Sequence, residues 1–320
     1  MKVGVYMNKK VVIIGGGTGM SILLRGLKQF PLDITAIVSV CDSGRNTGML
    51  REEFNIPAVG DIRKVLISLS ETEPLVEKLL SYQFDKDSSL NGHKVGNILL
   101  TATKNITGNI SDGIEALGKV LNLKGKVVPL TEDVVTLVGE MEDGKILENE
   151  HIITKDRRAI KNVYYKEEPE VTKEALKAIK EADLIILSMG SIYTSILPNL
   201  ICKEIVEEIE KSKAKIMYVC NMMTQPGETE GYKVSDHVSI LNKYLGQRNI
   251  DIVLANNGYI DSKLIEKYSI EEQKDPVIVD PENIKKLNVK LIQDNFVDIV
   301  DNVIRHNTIK IAFHVFSSLF

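Results

Sequence analysis

The sequence predicts an α/β fold: an open, mostly parallel sheet with helices between its strands and a small antiparallel hairpin unit set into it. Short, largely apolar runs recur at Val11–Ile14, Asp33–Cys41, Ala182–Ser188, Ala214–Cys220 and Asp251–Ala255, the pattern of strands buried on both faces. Amphipathic stretches separate them, as the crossovers of parallel strands require. Between Val127 and Lys155 the character changes. Two alternating segments, Val134–Met141 and Lys145–Thr154, flank Glu142-Asp143-Gly144, which reads as a hairpin.

The first strand is the most distinctive. Lys10–Gly19 reads K-V-V-I-I-G-G-G-T-G, four β-branched residues running into three glycines. Glycines at a strand end permit positive φ and close approach to another group. Thr18–Phe30 carries Met20, Leu23, Leu24 and Leu27 at helical spacing, and the start of such a helix favours an anion. The spacing fits neither common nucleotide motif. Gly15, Gly17 and Met20 give G-x-G-x-x-M, and no lysine follows the glycines as a Walker A loop requires. On these residues alone a phosphate cradle and a plain β–α turn both stand.

The second strand, Asp33–Cys41, runs into D-S-G-R-N-T-G, Asp42–Gly48, a polar loop. In dinucleotide-binding units an acidic residue about 20 positions past the glycines meets a ribose hydroxyl. Asp42 holds that place in the order of elements; an Asx turn or helix cap is the alternative. Pro57–Lys64 opens a helix through Ser70. Asp61 fits its cap, whereas Arg63 in the first turn opposes the dipole and is best explained by pairing with Asp61 or a ligand anion. Helices follow over Glu73–Tyr82 and Gly96–Asn105. His93, between Gly92 and Gly96, is a loop or helix-start histidine, placed for acid–base work or a phosphate hydrogen bond, or simply at the surface.

After the hairpin, with Arg157 and Arg158 on a solvated stretch, alternation returns with a helix at Lys173–Lys180. The strand ending at Ser188 leads into Met189–Ser195 and a helix from Pro198 through Lys211. The strand ending at Cys220 leads into Asn221–Thr229, and a helix covers Val234–Leu245. Strands therefore end in polar loops at Gly15, Asp42, Gly190, Asn221 and Asn256. Ligands of open parallel sheets bind outside the carboxyl ends of the strands, so convergence of these loops argues for one site. Short strands are expected at Val277–Val279 and Val289–Ile292. Phe313, Phe316 and Phe320 recur with Ile309 and Ala312 in a terminal helix, first as core packing and second as a dimer contact. The chain reads as a single unit over residues 8–320, with a hairpin insertion or flap at 127–165.

Composition excludes several classes. With 43% hydrophobic and 26% charged residues over 320 positions, the chain can bury a large core. A net charge of −4 gives no electrostatic case for nucleic acid or an anionic membrane. No membrane-length apolar run or signal peptide is seen. The three cysteines, Cys41, Cys202 and Cys220, are far apart, which argues against a disulfide scaffold or zinc ribbon and for a reducing cytoplasm.

Taken in order, the loops resemble those of the CofD-like proteins, in the branch named gluconeogenesis factor (YvcK-like) and related to 2-phospho-L-lactate transferase. The resemblance runs from Val11 to about Ala312. It is carried by I-G-G-G-T-G at Ile14–Gly19, P-x-x-G-D-I-R at Pro57–Arg63, G-H-x-x-G-N at Gly92–Asn97 and G-S-I-Y-T-S-I-L-P-N-L at Gly190–Leu200. Tyr218–Thr229, Gly231–Val238 and Ile304–Asn307 complete it. The resemblance implies a Rossmann-like, doubly wound sheet with a nucleotide pocket at its carboxyl edge. Its transferase branch moves a phospholactyl-type group from a nucleoside diphosphate carrier to a hydroxyl with Mg²⁺. The gluconeogenesis-factor branch is associated with cell shape, growth on gluconeogenic carbon and UDP-sugar binding.

Two departures matter. Where the family loop reads D-D-G-G-S-S-G, this chain has D-S-G-R-N-T-G. Ser43 thus replaces a second carboxylate, which weakens any Mg²⁺ site at Asp42, and Arg45 adds a charge suited to phosphate. Ser188–Ser191 reads S-M-G-S in place of G-P-G-S. The expected function is therefore non-catalytic binding of a UDP-sugar, with the Mg²⁺-dependent transferase as the alternative. By resemblance, Gly15, Gly16, Gly17, Thr18 and Gly19 would meet phosphate and Asp42 a ribose or residual metal. Asp61, Arg63, His93 and Asn97 would form the wall, with His93 and Asp61 the candidates for any catalysis. Gly190, Ser191, Tyr193, Thr194, Asn221, Thr224 and Gln225 would reach base or sugar, with Tyr268 and Arg305 joining from the terminal region. Partners other than this small molecule are not specified, and a homo-oligomer is left open.

Overall fold

The computed structural model describes residues 8–42, 44–85 and 87–320, with the backbone alone for Arg45, Asn46 and Glu52. Two residues assigned to the site from the sequence, Ser43 and the side chain of Arg45, therefore lie outside the described residues.

The apolar runs become a seven-stranded, wholly parallel sheet. Its strands are β1 (Lys9–Gly15), β2 (Leu32–Val38) and β3 (Lys126–Pro129), followed by four later strands. A separate antiparallel sheet intervenes: β4 (Leu137–Met141), β5 (Ile146–Glu148) and β6 (Ile160–Tyr165). The main sheet resumes with β7 (Leu184–Leu187), β8 (Lys215–Val219), β9 (Ile252–Asn256) and β10 (Lys290–Asp294). A two-stranded ribbon closes the list, β11 (Val297–Val300) and β12 (Val303–His306). The main-sheet order is β10-β9-β8-β7-β1-β2-β3. From β1 the chain steps outward to β2 and β3, and from β7 it steps the other way, so the β1/β7 boundary is the topological switch point. Right-handed crossovers then place the helix after β1 and the helix after β7 on opposite faces.

Helix α1 (Gly17–Leu27) packs between α3 (Gly60–Leu69) and the Thr308–Ser317 helix. Its contact with the terminal helix is close enough that a Cβ on Gly26 would lie 2.2 Å from the carbonyl oxygen of Thr308. That contact also corrects the aromatic-stripe expectation. Ile311, Ala312 and Val315 are the buried face, while Phe313, Phe320 and Ile309 are 55%, 83% and 53% exposed. A small residue, Ala312, is needed where the backbones approach, which turns the larger rings outward. Only Phe316 packs inward, against Phe30 with ring centroids 5.3 Å apart.

Other boundaries shift for local reasons. Helix α2 (Arg45–Phe54) begins inside the stretch read as a loop. The second hairpin arm stops at Glu148, and Glu150–Lys155 is helical. The unforeseen β6 pairs with the other side of β4, so the small sheet has three strands in the order β5-β4-β6, while Lys126–Pro129 belongs to the main sheet. Arg158 is not simply solvated, being paired with Asp156 and with Asp143 at 3.1 Å. At Val277–Val279 there are only isolated bridges, Met223 to Pro276 and Lys233 to Ile278, because Pro276 cannot donate to a ladder. The stretch read as a loop before Pro198 contains a π-helical turn, Ile192–Ile196, and the helix expected from Pro198 to Lys211 is two, Leu197–Leu200 and Lys203–Lys211.

Tyr165 at the end of β6 fastens the small sheet to the main one. Its hydroxyl donates to the carbonyl of Pro198 at 2.9 Å and lies 3.1 Å from Cys41 Sγ. All three cysteines are buried, and burial pushes each thiol up to about 12. No helix among the described residues is long and apolar enough to cross a membrane.

Replacing Gly26 with alanine should lower the unfolding free energy by about 1–3 kcal/mol, because a backbone carbonyl stands where the methyl must go. Urea denaturation with an unchanged m-value would confirm it, and an unchanged midpoint would refute it.

Candidate functional site

The loops after β1 and β7 meet at the switch point with almost no space between them. A Cβ on Gly15 would lie 2.1 Å from Ser188 Oγ, and one on Gly19 only 1.5 Å from the carbonyl oxygen of Met189. Gly17 takes a positive φ of 67°, which a side chain would resist. The glycines thus serve first to bring two backbone segments together. Thr18 is exposed in the first turn of α1.

The anion at the start of α1 is already supplied by the protein. Asp61 lies against this turn: its Oδ2 would be 2.7 Å from a Cβ on Gly16 and 3.7 Å from one on Gly17, and the backbone N–H of Gly17 favours its charged form. Buried, and with Asp42 near, Asp61 is held above the usual carboxylate range, while Lys64 opposes the shift. Lys64 Nζ lies 2.7 Å from Asp61 Oδ1 and 3.8 Å from Asp42 Oδ2. Burial works against the Lys64 ammonium, but Asp61 and Asp42 outweigh it and raise its pKa.

Beside this trio stands a second cation group. Arg63 is only 6% exposed, and its Nε donates to Asn97 Oδ1 at 3.0 Å. It does not bond to Asp61 as the sequence suggested, because Lys64 holds that carboxylate. Lys94 is lowered by burial and by the positive charges of Arg63 and Lys64. Next to it in the chain, the Nδ1 of His93 is buried and has no hydrogen-bond partner among the described residues. From the small sheet, Glu150 is pushed up to about 7, by burial first and then by Asp42. The antiparallel unit therefore faces the loop after β2.

The other wing is built on the loops after β7 and β8. Ser191 Oγ donates to the carboxylate of Glu228, 2.7 and 2.6 Å from its two oxygens. Gln225 Nε2 donates to the same group at 2.8 Å, and the N–H of Tyr193 at 3.3 Å. Thr194 donates to Ser191 Oγ through its backbone N–H and its hydroxyl, at 2.9 and 2.8 Å. Asn221 Nδ2 donates to the carbonyl of Gly190 at 2.9 Å, clamping the two loops. Glu228 is thus an internal anion at the start of the π-helical turn. Burial pushes it up to about 7, against the pull of Ser191 and the N–H groups of Tyr193 and Ile192.

The remaining sequence candidates are placed differently. Thr224 is tied to Asp275, donating its N–H at 2.7 Å and accepting at its hydroxyl at 2.9 Å. Tyr193 is buried beside Tyr232. The hydroxyl of Tyr268, also buried, accepts the N–H of Ile304 at 3.1 Å, so it braces β12, which carries the exposed Arg305. His306 on that strand lies 3.4 Å from the carbonyl of Cys220, which brings β12 against the end of β8.

Sequence reasoning missed Lys64, Lys94, Glu150 and Glu228. Lys64 and Lys94 directly follow residues that were singled out, Arg63 and His93, and Glu228 stands three after Gln225. Nothing in the local pattern marked Glu150. The wide groove of the molecule, ≈ 1160 Å³, opens at the opposite sheet edge. Its lysines and carboxylates largely satisfy one another, Lys9 with Asp183 and Lys10 with Glu181.

The family model described as 2-phospho-L-lactate transferase CofD matches residues 11–297. The gluconeogenesis factor of Bacillus subtilis is 47% identical over 304 residues, covering 95% of this chain and 96% of that protein. The putative gluconeogenesis factor of Thermotoga maritima is 43% identical over 309 residues, covering 95% and 97%. The crystal structure of protein BH3568 from Bacillus halodurans superposes with a TM-score of 0.92 at 45% identity, covering 97% of this chain and 99% of that one.

A buried carboxyl raised from 4.5 to about 7 binds its proton more tightly in the folded protein. Its stabilising contribution is complete below about pH 4.5 and is lost as pH rises through about 7. Glu150 titrates in the same window, so the informative quantity is a difference. Between about pH 5 and 8, Glu228→Gln should lose up to about 3 kcal/mol less stability than wild type. Parallel pH profiles from urea unfolding would refute the assignment.

Proposed function

The chain belongs to the CofD family, and from that premise we propose that it is a nucleotide-sugar-binding protein of the gluconeogenesis-factor branch. In this reading a UDP-sugar lies across the carboxyl edge of the sheet in a cytoplasmic protein. Its phosphates are met by Arg63 and Lys94, and its base or sugar by Asn221 and Gln225, with Arg305 beyond them. Binding supports cell shape during growth on gluconeogenic carbon, without transfer of a group.

One observation carries the reading. The loops after β1, β2, β7 and β8 bring a buried arginine, two amide side chains and paired carboxylates to the switch point of one parallel sheet, where open α/β folds take their ligands. A second reading is transfer of a phospholactyl-type group from a nucleoside diphosphate carrier to a hydroxyl acceptor. It is favoured by the description of the matching family model, and it requires Mg²⁺ near Asp42.

Calorimetry with UDP-N-acetylglucosamine is expected to give saturable binding. Arg63→Gln should weaken it about 10–100-fold through loss of charged hydrogen bonds. No heat at millimolar ligand would sink the proposal. Mg²⁺-dependent release of a nucleoside monophosphate in the presence of an acceptor would instead establish the transferase.

A further inference from the structure

The Mg²⁺ that the transferase reading calls for can be tested against the residues themselves. Such an ion needs near-octahedral oxygen ligation at about 2.0–2.1 Å, with carboxylates supplying the charge. The two carboxylates placed for the task are Asp42 and Asp61, and an ammonium stands between them. Lys64 Nζ is 2.7 Å from Asp61 Oδ1 and 3.8 Å from Asp42 Oδ2. One or two carboxylates with water and ligand phosphates suffice for Mg²⁺, so the fit turns on this pair, and the ammonium fills the place between them. The residues do not fit the metal.

The lysine is held where it is by more than these two contacts. It projects from α3 at the start of its second turn, three residues after Asp61, so the helix sets its reach. Asp61 in turn is 6% exposed and packed against the turn after β1, its Oδ2 2.7 Å from where a Cβ on Gly16 would stand. An entering cation must displace the ammonium from a buried carboxylate, and breaking such a pair is strongly unfavourable.

We propose that Lys64 is a tethered cation that holds Asp42 and Asp61 together in place of a divalent ion, so that ligand binding at the switch point does not depend on Mg²⁺. The second half of this rests on the nucleotide-binding reading; the first half does not. With Lys64 consumed by the carboxylates, Arg63 and Lys94 are the neighbouring cations among the described residues left for an anionic ligand. Lys64 is a positioning residue in this scheme, acting on the ligand through the geometry of the pair.

The test uses Mn²⁺ alone, followed by electron paramagnetic resonance, on the full chain. Wild type and Lys64→Arg should show no saturable binding at submillimolar Mn²⁺. Lys64→Met should gain it, tighter than wild type by at least about tenfold, and Asp61→Asn added to that variant should remove it. Saturable submillimolar binding by wild type, lost in Asp61→Asn, would overturn the proposal even if Lys64→Met fails to fold. So would a folded Lys64→Met that stays silent. In a second arm, UDP-N-acetylglucosamine affinity should agree within about twofold in Mg²⁺ and in EDTA; a strict requirement for Mg²⁺ would overturn it. Failure of wild type to bind the sugar nucleotide at all would strike the function proposed above, while the Mn²⁺ results would still decide the role of Lys64.

Discussion

The contact between the loops after β1 and β7 is the constraint on which the rest of the site depends. Two backbone segments meet at a distance that no side chain tolerates, with Gly19 facing the carbonyl of Met189 and Gly15 facing Ser188. This contact brings the two loops together at the switch point. It also explains a glycine pattern that matches neither nucleotide fingerprint. The spacing answers to the neighbouring loop, and the helix that follows already carries an internal carboxylate, Asp61, at its start.

A second internal anion repeats the arrangement on the far side. Glu228 collects donors from Ser191, Gln225 and Tyr193 at the start of the π-helical turn. The starts of α1 and of the π-helical turn, which could each attract a phosphate through backbone N–H groups, therefore each face a carboxyl group of the protein itself. Side-chain cations remain: among the described residues Arg63 and Lys94 gather on one wing, while the exposed Arg305 stands alone on the other, where β12 meets the end of β8. The polarity of the site is thus lopsided: cationic beside β1 and β2, amide-rich beside β7 and β8.

The fold was largely readable because its strands are buried on both faces and announce themselves as apolar runs. The loops were readable as a set because parallel order sends all their carboxyl ends to one edge. What escaped has physical reasons. Lys64 looks like an ordinary surface lysine until α3 is placed against the loop after β2. Glu150 matters only because Tyr165 fastens the small sheet over that loop. Of the two partners the sequence offers Arg63, Asp61 or a ligand anion, Asp61 is held by Lys64, and Asn97 accepts from the guanidinium. The aromatic terminal helix misled for a simpler reason: periodicity identifies a stripe, and only packing against Gly26 decides which stripe faces inward.

The burial of the cysteines has a practical side. Cys41, Cys202 and Cys220 are the only thiols in the chain, and each is held up at about 12. Near neutral pH they present almost no thiolate to an alkylating reagent or a mild oxidant. Burial also shields all three from a maleimide in the folded protein. A cysteine introduced at the exposed tip of the small sheet, at Lys145 for instance, would be the one reactive handle on the molecule. A fluorophore attached there could follow the antiparallel unit relative to the sheet edge without first stripping the chain of its own sulfur.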